Sequence, residues 1–295
     1  MRVLITGSHG FVGTNLIETL TPIYNIIRWN ARKDRSLPEC DAVIHLAGLA
    51  HDTKNVIVPE RYFDVNTEIT KKIFNRFMES SAKKFIFFSS VKAQENDTPY
   101  AKSKKQAEEY ILNKFQNSSS WTNQAAEPSV MFQDKQVYIL RPCMIHGKGN
   151  KGNLNLLVKW VKKGWPWPLA AFANKRSYAS MGNVSYIIEQ LLSKNVESGI
   201  YEVCDDEPIS TNELIEIISR CMGKEIKMIC VPRNIMEVIA RVGGWLHLPL
   251  NTERLRKLTE NKIVDNSKIK RALGIDKMPI GAKDGFRMSI QSMLK

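Results

Sequence analysis

Tyr100-Ala101-Lys102-Ser103-Lys104 sets a phenol and an ammonium four residues apart. On a helix such residues share a face, so both groups can address one ligand. A free phenol has a pKa near 10 and is a poor base at neutral pH. A neighbouring positive charge lowers it, and the hydroxyl can then exchange a proton with a hydroxyl of a bound molecule. Chance alone places this spacing on many helix surfaces, so its weight comes from what surrounds it. Phe85-Ile86-Phe87-Phe88-Ser89-Ser90 reads as a buried strand ending in two hydroxyls, either of which can hold a reacting oxygen in place. Gly7-Ser8-His9-Gly10-Phe11-Val12-Gly13 follows one strand and opens a helix. Glycine there permits a tight turn and a close approach of backbone to a phosphate, whose charge the helix N-terminus favours. Asp41-Ala42-Val43-Ile44-His45-Leu46-Ala47-Gly48 is another strand ending in small residues, suited to the approach of a flat ligand. His45 within it reads as a structural histidine and not as an acid or base.

The elements that must position these groups alternate. Strand patterns at residues 2–6, 25–28, 42–46, 85–89 and 137–140 are separated by helical patterns near 11–20, 62–80 and 102–115. Alternation of this kind predicts a parallel sheet covered by helices on both faces, with ligands at the carboxyl ends of the strands. The fold class expected is α/β, a Rossmann-type doubly wound parallel sheet with a smaller C-terminal α/β region. The expected division is a dinucleotide-binding domain over 1–150 and a mainly substrate-binding region over 151–295, some of whose elements return to the sheet. In the second half the reading places a helix at 154–163, a strand at 200–203 and a helix at 211–222 capped by Ser210 or Thr211. The polar, small-residue stretch 116–128 reads as an exposed loop.

Composition narrows the function. The 295 residues are 43% hydrophobic and 25% charged, as in an ordinary globular protein. No apolar run approaches the length of a membrane span, and the chain enters a strand at once; a soluble, cytoplasmic protein without a membrane partner is expected. The five cysteines are scattered and form no C-x-x-C pair, so reduced thiols are expected and no metal site. The formal net charge of +13 is spread along the chain and mixed with acids. That pattern fits attraction of an anionic small molecule, not a nucleic-acid interface.

Residues 6–13 resemble the T-G-x-x-G-F-x-G signature of extended short-chain dehydrogenases/reductases. With His45-Leu46-Ala47-Gly48, Asn66, Ser89-Ser90, the Tyr100/Lys104 pair and Arg141-Pro142, the ordered set resembles the NAD-dependent epimerase/dehydratase family over nearly the whole chain. The resemblance implies a nicotinamide dinucleotide cofactor held by Gly7, His9, Gly10, Phe11, Val12, Gly13, Leu46, Ala47, Gly48, Asn66, Ser89, Tyr100 and Lys104. It implies Ser90 as the catalytic hydroxyl, Tyr100 as acid/base, and Lys104 as the group that holds the nicotinamide ribose and tunes the phenol. The second strand ends in Arg28-Trp29-Asn30-Ala31-Arg32 without the carboxylate that usually binds the adenosine ribose. Arg28 and Arg32 can meet a 2′-phosphate instead, which favours NADP over NAD. The chain from Lys33 to Cys40 leaves room for only a very short further edge strand, or none.

On the substrate side, Asn153 resembles the family's diphosphate-contacting asparagine and Arg176 its phosphate-binding arginine, and guanidinium forks suit phosphate oxygens. The order of 147–153, 165–169, 174–177 and 262–267 is similar to enzymes acting at the sugar C4: UDP-glucose 4-epimerase-like proteins and UDP-sugar 4-ketoreductases. A nucleotide-sugar substrate, most simply a UDP-sugar, and a homodimer are thus implied. Two functions stay open, an epimerase and an NADPH-dependent reductase of a 4-keto sugar. A third, of another class, is a non-catalytic NADP-sensing protein, because fold alone does not fix function. Dehydratase chemistry fits less well, since Val91 and Lys92 stand where its acid/base carboxylates would follow the serines.

Overall fold

A computed structural model describes residues 1–31, 36–50, 57–120, 134–150, 152, 154–245 and 251–294. In chain order its strands are β1 Arg2–Thr6, β2 Asn25–Trp29, β3 Ala42–His45, β4 Lys84–Phe88, β5 Gln136–Pro142, β6 Met144–His146, β7 Tyr178–Ser180 and β8 Gly199–Val203. The helices are α1 Phe11–Leu20, α2 Pro59–Tyr62, α3 Ile69–Glu79, α4 Pro99–Ser120, α5 Leu154–Lys162, α6 Met181–Ser193, α7 Thr211–Cys221, α8 Arg233–Trp245, α9 Thr252–Thr259, α10 Ser267–Leu273 and α11 Ala282–Leu294. A π-helical segment, Phe63–Glu68, joins α2 to α3, and a 3₁₀ turn, Val91–Gln94, precedes α4.

The chain divides into two compact units, the first comprising Met1–Cys143, Val184–Val203 and Asn266–Asp276. It holds a six-stranded parallel sheet in the order β2-β1-β3-β4-β5-β8. Strands covered on both faces need apolar side chains in succession rather than alternation. Val3, Leu4, Ile5, the whole of β3, and Phe85 to Phe88 accordingly run buried without a break. One face packs on α3 and α4 through Phe74, Phe77, Phe85, Ile111 and Ile139, with the Phe74–Phe85 and Phe77–Phe85 ring centroids 5.0 and 5.1 Å apart. Each such ring contributes about 1.5–3 kcal/mol on burial. The order reverses at β1, which has β2 on one side and β3 on the other, so the switch point at which such sheets bind ligands lies at the carboxyl ends of β1 and β3.

The opposite end of the sheet is closed by two lysines. Lys84 donates to the carbonyls of Leu191, Leu192 and Lys194 at the end of α6, at 2.8, 2.9 and 2.6 Å. Lys135 donates to those of Phe77, Ser80 and Ala82 at the end of α3, at 3.1, 2.7 and 2.7 Å. Both helix ends leave carbonyls without intrahelical partners, and an ammonium supplies donors and the favoured charge together.

The second unit comprises Met144–Asn183, Cys204–Asp265 and Lys277–Lys295. It holds the two-stranded parallel sheet of β6 and β7 with α5, α7, α8, α9 and α11 around a core that includes Trp167, Leu214, Ile218, Leu255 and Phe286. α7 starts in a capping box: Ser210 Oγ accepts from the Glu213 amide at 3.0 Å, and the Ser210 amide donates to the Glu213 carboxylate at 2.9 Å.

One sequence expectation needs revision. Residues 116–120, expected as loop, continue α4 to Ser120; the rest of that stretch, from Trp121, lies outside the described residues. Among the described residues no strand lies between Trp29 and Ala42, leaving β2 at the edge of the sheet.

Candidate active site

The glycine turn at the end of β1 is fixed by packing. Gly7 has φ +69°, and a Cβ there would stand 2.7 Å from the Ala47 amide nitrogen. A Cβ on Gly13 would stand 2.4 Å from the Gly7 carbonyl oxygen, so only glycine lets α1 pack this close to the turn. Gly10 is the N-cap of α1 and has no side chain to cap it, and the first turn carries no acid. The first-turn amides of Phe11, Val12 and Gly13 therefore stand ready for an anion, the usual fit of a dinucleotide pyrophosphate. His9 and Gly10 are exposed on this turn, and the His9 ring lies 3.2 Å from Ser8 Oγ.

Behind the turn, neighbouring registers build a buried polar relay. Thr6 pairs with His45 across β1 and β3, and Thr6 Oγ1 lies 2.7 Å from His45 Nδ1. His45 Nε2 lies 2.9 Å from Thr70 Oγ1, which donates to the Asn66 carbonyl at 2.7 Å. With its proton so committed, Thr70 accepts from Nε2–H, and Nδ1 accepts from Thr6. Burial, with Lys104 nearby, pushes the His45 pKa down to about 3. His45 is thus a neutral spacer between sheet and helix, as its strand-end position suggested.

The relay ends at Asn66, carried by the π-helical segment. Its side-chain oxygen accepts from the Leu49 amide at 2.7 Å, and its nitrogen donates to the Leu49 carbonyl and to Ser103 Oγ, both at 3.1 Å. Ser103 in turn donates to the Tyr100 carbonyl at 2.8 Å. A Cβ on Gly48 would stand 2.9 Å from Asn66 Oδ1 and 3.3 Å from Lys104 Nζ. Gly48, Asn66 and Lys104 hence converge at the carboxyl end of β3, next to Leu46 and Ala47.

Tyr100 and Lys104 sit in the first turns of α4. Tyr62 packs edge-on against Tyr100 at 6.0 Å, and Ser90 is hydrogen-bonded to the phenol. The buried Lys104 ammonium donates to the Phe88 carbonyl at 2.7 Å. Burial lowers its pKa to about 8, while Glu108, one turn on, pulls it upward. Glu108 is itself buried and held by Arg141 through contacts of 3.0, 3.2 and 2.6 Å. Burial pushes the phenol's pKa up, the Ser90 hydrogen bond pulls it down and Tyr62 pushes it up again. Ser89 Oγ is buried with no hydrogen-bond partner among the described residues.

Arg28 is exposed on β2, whereas Arg32 and Asn153 lie outside the described residues. Arg176 belongs to the second unit. It borders a small cleft of about 30 Å³ lined also by Met144, His146, Tyr178, Lys257 and Phe286. Its guanidinium donates to the Lys257 carbonyl at 2.8 Å and pairs with Glu260 at 3.5 Å.

Thr70, Tyr62, Ser103 and Glu108 were not singled out in the sequence, and Thr6 stood there only as the first residue of the glycine signature. Ser103 had a signal, a polar residue on the turn between Tyr100 and Lys104. The threonines acquire theirs only once the register of β1 on β3 and the phase of α3 are known.

A topological switch point, an uncapped helix start and a phenol with a buried ammonium define a dinucleotide-dependent oxidoreductase. The model of the NAD dependent epimerase/dehydratase family matches residues 3–164. The chain belongs to that family and is an NAD(P)-dependent enzyme. It is 28% identical over 325 aligned positions to the UDP-glucose 4-epimerase of Vibrio cholerae, covering 99% of this chain and 95% of the relative. The UDP-glucuronic acid 4-epimerase from Bacillus cereus, solved with NAD, superposes with a TM-score of 0.71 at 15% identity, over 100% of this chain and 99% of that one. RMD from Pseudomonas aeruginosa, solved with NADPH, gives 0.69 at 18% identity, covering 100% of both chains.

Proposed function

We propose that the protein moves a hydride to or from C4 of a UDP-sugar, with Tyr100 as the acid/base. The observation that carries this reading is the Ser90–Tyr100 hydrogen bond beside the buried Lys104 ammonium and the unpartnered Ser89 hydroxyl. The cofactor's fit rests on the uncapped start of α1 and the glycines that leave no room for a Cβ. Bound there, NAD(P) supplies the hydride acceptor or donor.

The chain's own groups do the rest. The α1 amides hold the pyrophosphate, and Leu46, Ala47 and Gly48 leave a flat face. Asn66 and Lys104 hold the ribose side, and Ser90 orients the reacting oxygen. Tyr100, as the phenolate, takes a proton from the sugar hydroxyl during oxidation, and as the phenol gives one back during reduction, a contribution of about 10²–10⁴-fold. Arg176, in the cleft of the second unit, takes the nucleotide phosphates, aided by Lys257. The absence of a carboxylate after β2 and the exposed Arg28 support NADP over NAD. The free thiols of all five cysteines support a cytoplasmic location. A homodimer through helices that include α4 completes the proposal.

Incubation with UDP-sugars and with their 4-keto forms, with and without NADPH, tests it. A C4-inverted sugar made without added cofactor identifies an epimerase; NADPH consumed in step with a keto sugar identifies a reductase. Tyr100→Phe should lower turnover about 10²–10⁴-fold while leaving the melting temperature in place. Cofactor binding with no turnover of any of these sugars would sink the reading and leave a sensing protein.

A further inference from the structure

α8 presents two apolar faces. Met236, Ala240 and Gly243 are buried against the second unit's core, which fixes the helix to the body of that unit. Ile235, Val238, Ile239, Val242 and Trp245 are exposed, Trp245 to 81%. At 100° per residue these five fall within an arc of about 120°, a stripe as regular as a core-facing one but turned to water. They leave on the order of 500 Å² of apolar surface, a size that marks an interaction site. It falls short of the ~800 Å² per partner that a stable protein–protein interface buries.

We propose that this stripe docks on a membrane surface bearing anionic headgroups, the helix lying in the interface with its apolar arc among the upper acyl chains. The charge around it fits that partner. On α8, Arg241 stands beside Glu237 about 40° beyond the Trp245 edge of the arc, and Arg233 lies on the opposite side over the Phe172 ring; α9, joined to α8 through one core by Met236, Ala240 and Leu255, adds Arg254 and Arg256 against Glu253. The arginines are all exposed, and the whole chain carries +13. Basic residues flanking an apolar arc that ends in tryptophan are what an anionic interface recognises. A second copy of the chain would bring the same positive flanks together. Among the described residues no helix is long and apolar enough to cross a membrane, so the contact is peripheral. The sequence expectation of no membrane partner rested on span length and did not address this mode.

Flotation of the full chain with vesicles tests the proposal. The protein should float with phosphatidylcholine–phosphatidylglycerol vesicles, fall away at high salt, and float far less with phosphatidylcholine alone. Val238→Asp with Val242→Asp should weaken binding at least about tenfold, with the circular-dichroism melt showing that the fold persists. Trp245→Ser, at a far more exposed position, serves if that pair unfolds, and should weaken binding in the same direction. Flotation unchanged by these substitutions, or no flotation with either vesicle, overturns the proposal. So does a dimer in sedimentation that these substitutions dissociate, which would make the stripe a contact between copies.

Discussion

Lowering the pH should loosen this protein through one buried ring. His45 has a folded-state pKa of about 3 against an ordinary 6.5, set first by burial and then by Lys104. Between those values the unfolded chain binds a proton that the folded chain refuses, so stability falls as pH drops below 6.5. At 1.36 kcal/mol per unit, the loss reaches about 2 kcal/mol near pH 5 and about 4 kcal/mol near pH 3. The ring cannot relieve this by accepting a proton in place. Nδ1 is occupied by Thr6 at 2.7 Å and Nε2 by Thr70 at 2.9 Å, and a charged ring would need two acceptors where Thr6 now donates. Urea unfolding of the wild type and of His45→Gln, each at pH 7 and pH 5, isolates the term, because other titrating groups cancel in the difference. The variant should be less stable at pH 7, having lost the ring stacked on Phe87 at 5.6 Å. Its loss between the two pH values should be smaller than the wild type's by about 2 kcal/mol. Equal losses would refute the assignment of acid lability to His45.

Three further outcomes follow from close contacts. Gly13→Ala puts a methyl 2.4 Å from a backbone oxygen; it should cost about 1–3 kcal/mol in the thermal melt and weaken NADPH binding in a fluorescence titration. Glu108→Gln leaves a largely buried Arg141 without its main counter-charge and should cost about 3 kcal/mol in urea unfolding. Ser210→Ala removes the side-chain half of a capping box and should lower stability by about 1 kcal/mol without changing NADPH affinity.

The sheet was legible in the sequence because its strands are buried on both faces and so appear as unbroken apolar runs set off by helical spacing. β1 and α1 fall where that pattern puts them. The chemistry-bearing residues stood out for a related reason: glycines, a serine pair and a phenol–ammonium spacing sit at element ends, where ligands bind. The relay behind them did not. Thr6, His45, Thr70 and Asn66 are separated in the chain and meet only through strand register and helix phase. The second unit was the harder half. α8 is apolar on two faces, and α9 is only eight residues long, too short for periodicity to declare itself.

The π-helical segment gives its helix a phase as well as a shape. Tyr62, just before it, packs on Tyr100, while Thr70, Ile73 and Phe74, after it, are buried. An uninterrupted α-helix would satisfy one of these sets and turn the other by about 100°. The segment therefore acts as a one-residue insertion, the looser turn being the cost of serving two faces at once. Single-residue length changes between Tyr62 and Thr70 would leave a good helix in an intact sheet, with the site out of step. Such a chain would fold, and it would have lost its alignment.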